Sequence, residues 1–358
     1  MNTPFPFDLP APSVWYVVLY ATTLLLHVAF MSYVLGGALL LGLAGVRRRL
    51  GGDAPTSPSA RVLKDWMPSA LSAAITAGIA PLLFVQILYQ QEFYTANLLS
   101  FHRWMAILPV LIAAFYLLYL LKSRRVAGRT ALQALIAISI AACVLFVAWS
   151  WVENHLLSLD RAAWPLQYEE KRMLYASPAI LPRLAFFVAA SLATFPLLLL
   201  AQMRAGATGC TPEEASAATR PFAITAIVSG IAALALAGPV LRGPLSTAGI
   251  EAPAATPWWT VLLIGMGVAI AGWSAAAWRA RPVRIGTLMA AIGTTAFWIG
   301  ATLLRESTRW SIAGDARALE RHGEVGTTAG LIVFLVFTLA GVAAVAWIWR
   351  RVAKALRP

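Results

Sequence analysis

The chain has 358 residues, 60% of them hydrophobic and only 12% charged, a balance that excludes a soluble globular domain and points to a polytopic membrane protein. Its net charge of +13 is not gathered into a soluble patch interleaved with aromatics, so nucleic acid is excluded as a partner. With two cysteines and no CxxCH segment, Cys-based zinc sites, iron–sulfur clusters and covalently attached haem are excluded as well.

The opening residues, MNTPFPFDLPAP, carry Asp8 and no Lys or Arg. A signal peptide opens with a basic segment, so this reads as an exported tail ahead of a retained span. Nine apolar stretches are long enough to cross a bilayer, near 14–46, 67–89, 104–121, 131–151, 180–203, 221–241, 258–278, 286–304 and 327–349. None alternates with period two, so the expectation is an all-α polytopic membrane protein of nine transmembrane helices in a single integral domain over 1–358. The first connector, RRRLGGDAPTSPSARVLKDW, is rich in Gly, Ser and Pro and reads as solvated. The connector after the fourth span sets Leu156, Leu157, Trp164, Leu166 and Tyr168 among charges, the pattern of an amphipathic helix at the interface. The one before the ninth span has helical character around Ala316–His322. Trp104, Trp151, Trp258, Trp259 and Trp349 fall at span ends, as interfacial belts do. The Gly36–Gly37 pair allows close helix approach.

Orientation follows from the basic residues. The segments 47–66, 122–130, 204–220, 279–285 and 350–358 hold 18 of the 28 Lys and Arg but only 4 of the 15 acids. The rest of the chain holds 10 basic and 11 acidic residues. The positive-inside rule then places the N-terminus outside and the C-terminus in the cytoplasm.

Four histidines occur, and His27 lies inside the first span, which has no acidic or basic side chain to pair with it. An imidazole at membrane depth needs a partner, and the economical one is haem iron. The alternative is a hydrogen bond to a neighbouring helix, worth about 1 kcal/mol. His102 falls at the outer end of the third span, where water can also satisfy it. His155, just beyond the fourth span, and His322, in the last outer connector, read as solvated loop residues. Met31 and Met105 place thioethers about one turn from His27 and His102, as ligands or as packing. Gln86, Tyr89, Gln90, Gln91 and Glu92 end the second span at the same level. No span carries Asp, Glu, Lys or Arg well inside the bilayer on this reading, which counts against a transporter and against autonomous proton pumping.

The segment LLLHVAFMSYVLGGALLLGLAG resembles the first helix of the large subunit of cytochrome bd-type quinol oxidases, where a histidine ligates a high-spin haem near the outer face. FHRWMAILPVLIAAF is similar to that family's third helix, with His102 where the family has a glutamate near the haem. FVAWSWVENHLLS and SPAILPRLAFFVAAS resemble the end of its fourth helix and its fifth. The resemblance covers about the first 200 residues. It implies two four-helix bundles plus one peripheral helix. Departures are specific. Phe186 stands where the family has a histidine ligand for a low-spin haem. The quinol loop is reduced to RGPLSTAGIEAPAATPW. In place of an eighth-span glutamate ligand the candidates are Thr302 and, further out, Glu306.

What the resemblance leaves is one haem b, with His27 and His102 as ligands of the iron. Two imidazoles would give a low-spin centre closed to oxygen. Arg103, Arg305 and Arg309 would hold its propionates, and Gln86, Tyr89 and Glu92 would line a quinone or proton path. The expected function is a b-type haem subunit of a respiratory electron-transfer complex in a bacterial inner membrane. It would relay electrons between membrane quinone and a periplasmic partner such as a c-type cytochrome, which docks on 152–183 and 305–326. The alternatives are a haem-free scaffold subunit of a bd-like assembly and a quinol-oxidising oxygen reductase.

Overall fold

The computed structural model describes residues 9, 11–50, 57–247, 256–278, 283–313, 316–325, 330, 332–340, 343 and 347. The described elements are all helical: α1 (Ala11–Arg49), α2 (Pro58–Leu88), α3 (Gln90–Leu99), α4 (Phe101–Lys122), α5 (Thr130–Leu159), α6 (Trp164–Glu169), α7 (Ile180–Arg204), α8 (Pro212–Thr247), α9 (Thr256–Trp278), α10 (Val283–Ala313) and α11 (Ala316–Val325). Eight of them, α1, α2, α4, α5, α7, α8, α9 and α10, are long and apolar enough to cross a membrane, so the chain is a multi-pass membrane protein. The expected ninth span is described only at 330, 332–340, 343 and 347. Those of its residues that are described are helical and mostly exposed, and Phe334 meets the edge of Phe84 at 5.4 Å.

The helices outrun the apolar stretches that announce them, because caps rather than hydropathy set their ends. Ser57 accepts from Ala60 N at 3.3 Å and Pro58 opens α2, so the solvated connector expected to 66 stops nine residues earlier. In TPEE, Glu214 N donates to Thr211 Oγ1 and Thr211 N to the Glu214 carboxylate, a capping box that starts α8 at Pro212 and not at 221. At the other end of the bundle α5 runs to Leu159 and α10 to Ala313. Leu156 and Leu157, expected on an interfacial helix, are buried in α5. The short α6 that follows leaves Leu166 and Tyr168 exposed.

One set of helices, α1, α2, α4 and α5, packs together, and so does a second, α7, α8, α9 and α10; α1 touches α7 and α10 and ties the two sets. The tightest seam is between α9 and α10. Gly265 and Gly272 on α9, with Gly286, Gly293 and Gly300 on α10, face the partner's backbone so closely that an added Cβ would overlap it. Small residues at a seven-residue spacing let two membrane helices approach where no hydrophobic effect drives them together. At Gly36 and Gly37 the room is filled by side chains instead, Phe195 against the first and Leu63 with Met67 against the second.

Candidate functional site

Because α5 and α10 are longer than their apolar stretches, their polar ends are drawn into the bundle at the end where α1 begins. His155, on α5, is 8% exposed, and Glu306, on α10, is fully buried. Glu306 Oε1 receives Arg305 Nε at 3.1 Å and faces Arg309 at 3.5 Å. Arg309 donates to His155 Nδ1 at 2.7 Å, and its guanidinium carbon lies 4.7 Å from the centre of the Tyr89 ring. Arg305 donates to the Tyr20 hydroxyl of α1. Arg183, at the start of α7, is buried and donates to the Val240 carbonyl at 2.7 Å.

A guanidinium has no acceptor, so His155 Nδ1 takes the hydrogen bond with its lone pair and the ring proton sits on Nε2. That N–H is buried without a partner, and so are Glu306 Oε2, Ser307 Oγ and the Nε atoms of Arg183 and Arg309. A free hydrogen-bond donor and a free carboxylate oxygen thus lie in one buried cluster. Buried polar groups are normally satisfied by protein or water, so this grouping singles the cluster out as the candidate site.

A second network caps the first. Arg103 pairs with buried Glu153 at 3.0 Å and stacks over Trp149 at 5.5 Å. Glu92 pairs with Arg161, and Asn154 bonds to Asn97. Tyr175 N donates to Glu153 at 2.9 Å and Tyr175 Oη to Asp160 at 2.7 Å. Tyr175 lies outside the spans, and burial together with the Asp160 carboxylate raises its phenol pKa, which keeps it a donor. Beside this cap, α11 folds back onto the bundle. His322 Nδ1 meets Ser13 Oγ at 2.7 Å, Nε2 meets the Leu88 carbonyl at 3.3 Å, and Trp310 lies 6.2 Å from the ring.

One expectation is corrected here. His155 and His322 are not solvated loop residues: both are buried on helices. Buried charge also lies near the ends of the long apolar helices, with Glu153, Arg183, Glu306 and Arg309 on α5, α7 and α10. Arg305, Arg309 and Tyr89 come together as one cluster, while Arg103 and Glu92 belong to the adjoining cap. Gln86 is half-buried on α2.

His27 lies about 10 Å further along α1 than Tyr20, in the seam with α2. Its Nδ1 bonds to the Ala74 carbonyl at 2.8 Å, and the ring rests against Gly78. A carbonyl only accepts, so Nδ1 carries the proton and Nε2 keeps its lone pair, the orientation that a metal-ligating histidine has. His102 is on the exposed face of α4 against Phe101, and Met105 is exposed on the same helix. The structure therefore does not bring His102 to His27, and Met31, half-buried, follows His27 by one turn on the same helix. These residues offer a haem one axial imidazole, not two. Missed in the sequence were Arg183, Glu153 and the pairing of His155. The signals were RESTR, whose two arginines flank a glutamate at helical spacing, and ENH at the end of α5. No protein-family model, no curated protein and no solved structure matches this chain.

Proposed function

We propose that the chain is an integral subunit of a membrane electron-transfer complex and that it handles quinone, with its proton, at the Arg309 cluster. The observation that carries this reading is the pairing of a buried, partner-free His155 Nε2–H with a partner-free Glu306 Oε2, both fixed by Arg309. A quinone carbonyl accepts the first; a quinol hydroxyl gives its proton to the second. Tyr89, stacked on Arg309, supplies a flat wall for a ring. Each quinol oxidised releases two electrons and two protons, and Glu306 is placed to pass the protons on. With the basic connectors inside, the cluster faces the outside, where a c-type cytochrome can dock.

A b-type haem belongs to this proposal through His27, whose Nε2 the Ala74 bond leaves free; when bound, it supplies the one-electron carrier between quinone and partner. The membrane would be a bacterial inner membrane.

The test is quinol oxidation by the purified complex. His155→Gln and Glu306→Gln each lower turnover by about 10²- to 10⁴-fold, the usual contribution of a placed acid or base, without loss of the folded protein. Unchanged turnover in both variants contradicts the proposal. A second reading, a haem-free scaffold subunit, is favoured by one observation: His27, His155 and His322 each have a protein partner. A pyridine haemochrome assay on the intact complex separates the two.

A further inference from the structure

Arg183 is 3% exposed, its Nε–H has no partner, and its one bond to a described residue goes to a neutral carbonyl, Val240 O. No described carboxylate lies within ion-pair distance of it. Among the described residues, the charges that act on it are those of Arg305 and Arg309, both of its own sign. Glu306, the buried acid of the cluster, is already shared between those two. Among the described residues, Arg183 therefore stands beside two guanidiniums whose one carboxylate it does not share. An ionised group buried without a counter-ion is among the most costly arrangements in a protein, and a guanidinium does not relieve it by losing its proton.

Arg183 and Arg305 also line one crevice between α1, α7, α8 and α10, walled by Leu24, Val28, Phe186 and Trp298, with a cavity of about 30 Å³. That volume is enough for a water or a small polar group. Apolar walls exclude water and strengthen any charge pairing inside. We propose that this crevice binds an anionic group, a carboxylate or phosphate, which supplies the missing counter-charge between Arg183 and Arg305. Forked guanidinium donors match the oxygens of either group. The group comes from the head of a bilayer amphiphile or from a dissolved anion. The inference stands apart from the redox reading: a haem-free scaffold would keep the site.

The experiment is thermal unfolding of the full chain in neutral detergent at constant ionic strength. It is titrated with phosphate, acetate, phosphatidylglycerol or, as a neutral control, phosphatidylcholine. Saturable stabilisation is expected, since a ligand that binds only the folded state raises its melting temperature. Stabilisation by phosphatidylglycerol alone assigns the lipid head; stabilisation by phosphate or acetate assigns a dissolved anion. Arg183→Leu, which removes the uncompensated charge and so is expected to fold, loses the response. Arg183→Lys keeps it with about tenfold weaker affinity, and serves where the leucine variant does not fold. Indifference of the wild type to every anion overturns the proposal, and so does a wild-type response in Arg183→Leu. Asp8, Glu251 and Asp315 lie outside the described residues and are the in-chain rivals for the counter-charge. A response that appears only in Asp8→Asn, Glu251→Gln or Asp315→Asn gives that residue the role and overturns the proposal.

Discussion

Arg309, on α10, reaches across to α5 and fixes the tautomer of buried His155 through a 2.7 Å bond to Nδ1. One guanidinium therefore orients an imidazole, balances the Glu306 carboxylate and stacks on Tyr89. Truncating it leaves Glu306 with Arg305 alone and His155 Nδ1 without its donor. Arg309→Met is expected to lower stability by roughly 1–3 kcal/mol, the cost of leaving a buried polar group unsatisfied. Thermal unfolding in detergent, followed by tryptophan fluorescence, reads the loss; a variant as stable as the wild type would show that the cluster is not the joint between α5 and α10.

The α9–α10 seam makes a different demand. A Cβ at Gly293 would overlap the backbone of Ala269, whereas one at Gly267 would meet nothing within 4 Å. Gly293→Ala is expected to cost about 1–3 kcal/mol by overpacking, and Gly267→Ala to stay within about 1 kcal/mol of the wild type, on the stabilising side. Equal melting temperatures for the two variants would deny the close approach.

How much of this was legible beforehand depends on what sets a helix end. Eight of the nine spans expected from hydropathy fall on described helices long and apolar enough to cross a membrane. Hydropathy placed the ends of α5 and α10 too early, because Glu153, His155, Glu306 and Arg309 read as loop when partners across the bundle cannot be seen. Arg305, Arg309 and Tyr89 were picked out for charge or aromaticity at that level, and they do meet. Arg183 was passed over within an apolar run, although a charge there is the stronger signal. His102 was paired with His27 from its depth and by resemblance, and the phase of α4 turns it outward.

The α11 contact is acid-sensitive by its chemistry. Burial, helped by the charge of Arg321, holds the His322 imidazole below its ordinary pKa of 6.5. Above that value the ring is neutral whether α11 is docked or free, and docking has its full strength. As the pH falls below it, the free ring takes up the proton first, so docking weakens until the docked ring protonates too. His322→Gln keeps a donor for the Leu88 carbonyl and loses this acid weakening. Hydrogen-exchange protection across 316–325, taken relative to the intrinsic exchange rate at each pH, measures it at neutral and mildly acidic pH; protection that is independent of pH in the wild type contradicts the assignment.

Gly78 gives His27 its room. A Cβ there would lie 2.9 Å from His27 Nδ1 and 3.0 Å from Cε1. Gly78→Leu is expected to push the ring off Ala74, costing about 1 kcal/mol of helix pairing and lowering haem content together with it. Full haem content in that variant would place the cofactor elsewhere.

The most direct measurement is the visible spectrum of the purified complex before and after addition of quinol. The account predicts a b-type haem that quinol reduces. His27→Ala abolishes the signal, and Glu306→Gln retains it but slows its reduction. A complex isolated with its partner subunits intact that shows no haem band, or a band indifferent to both substitutions, would contradict it.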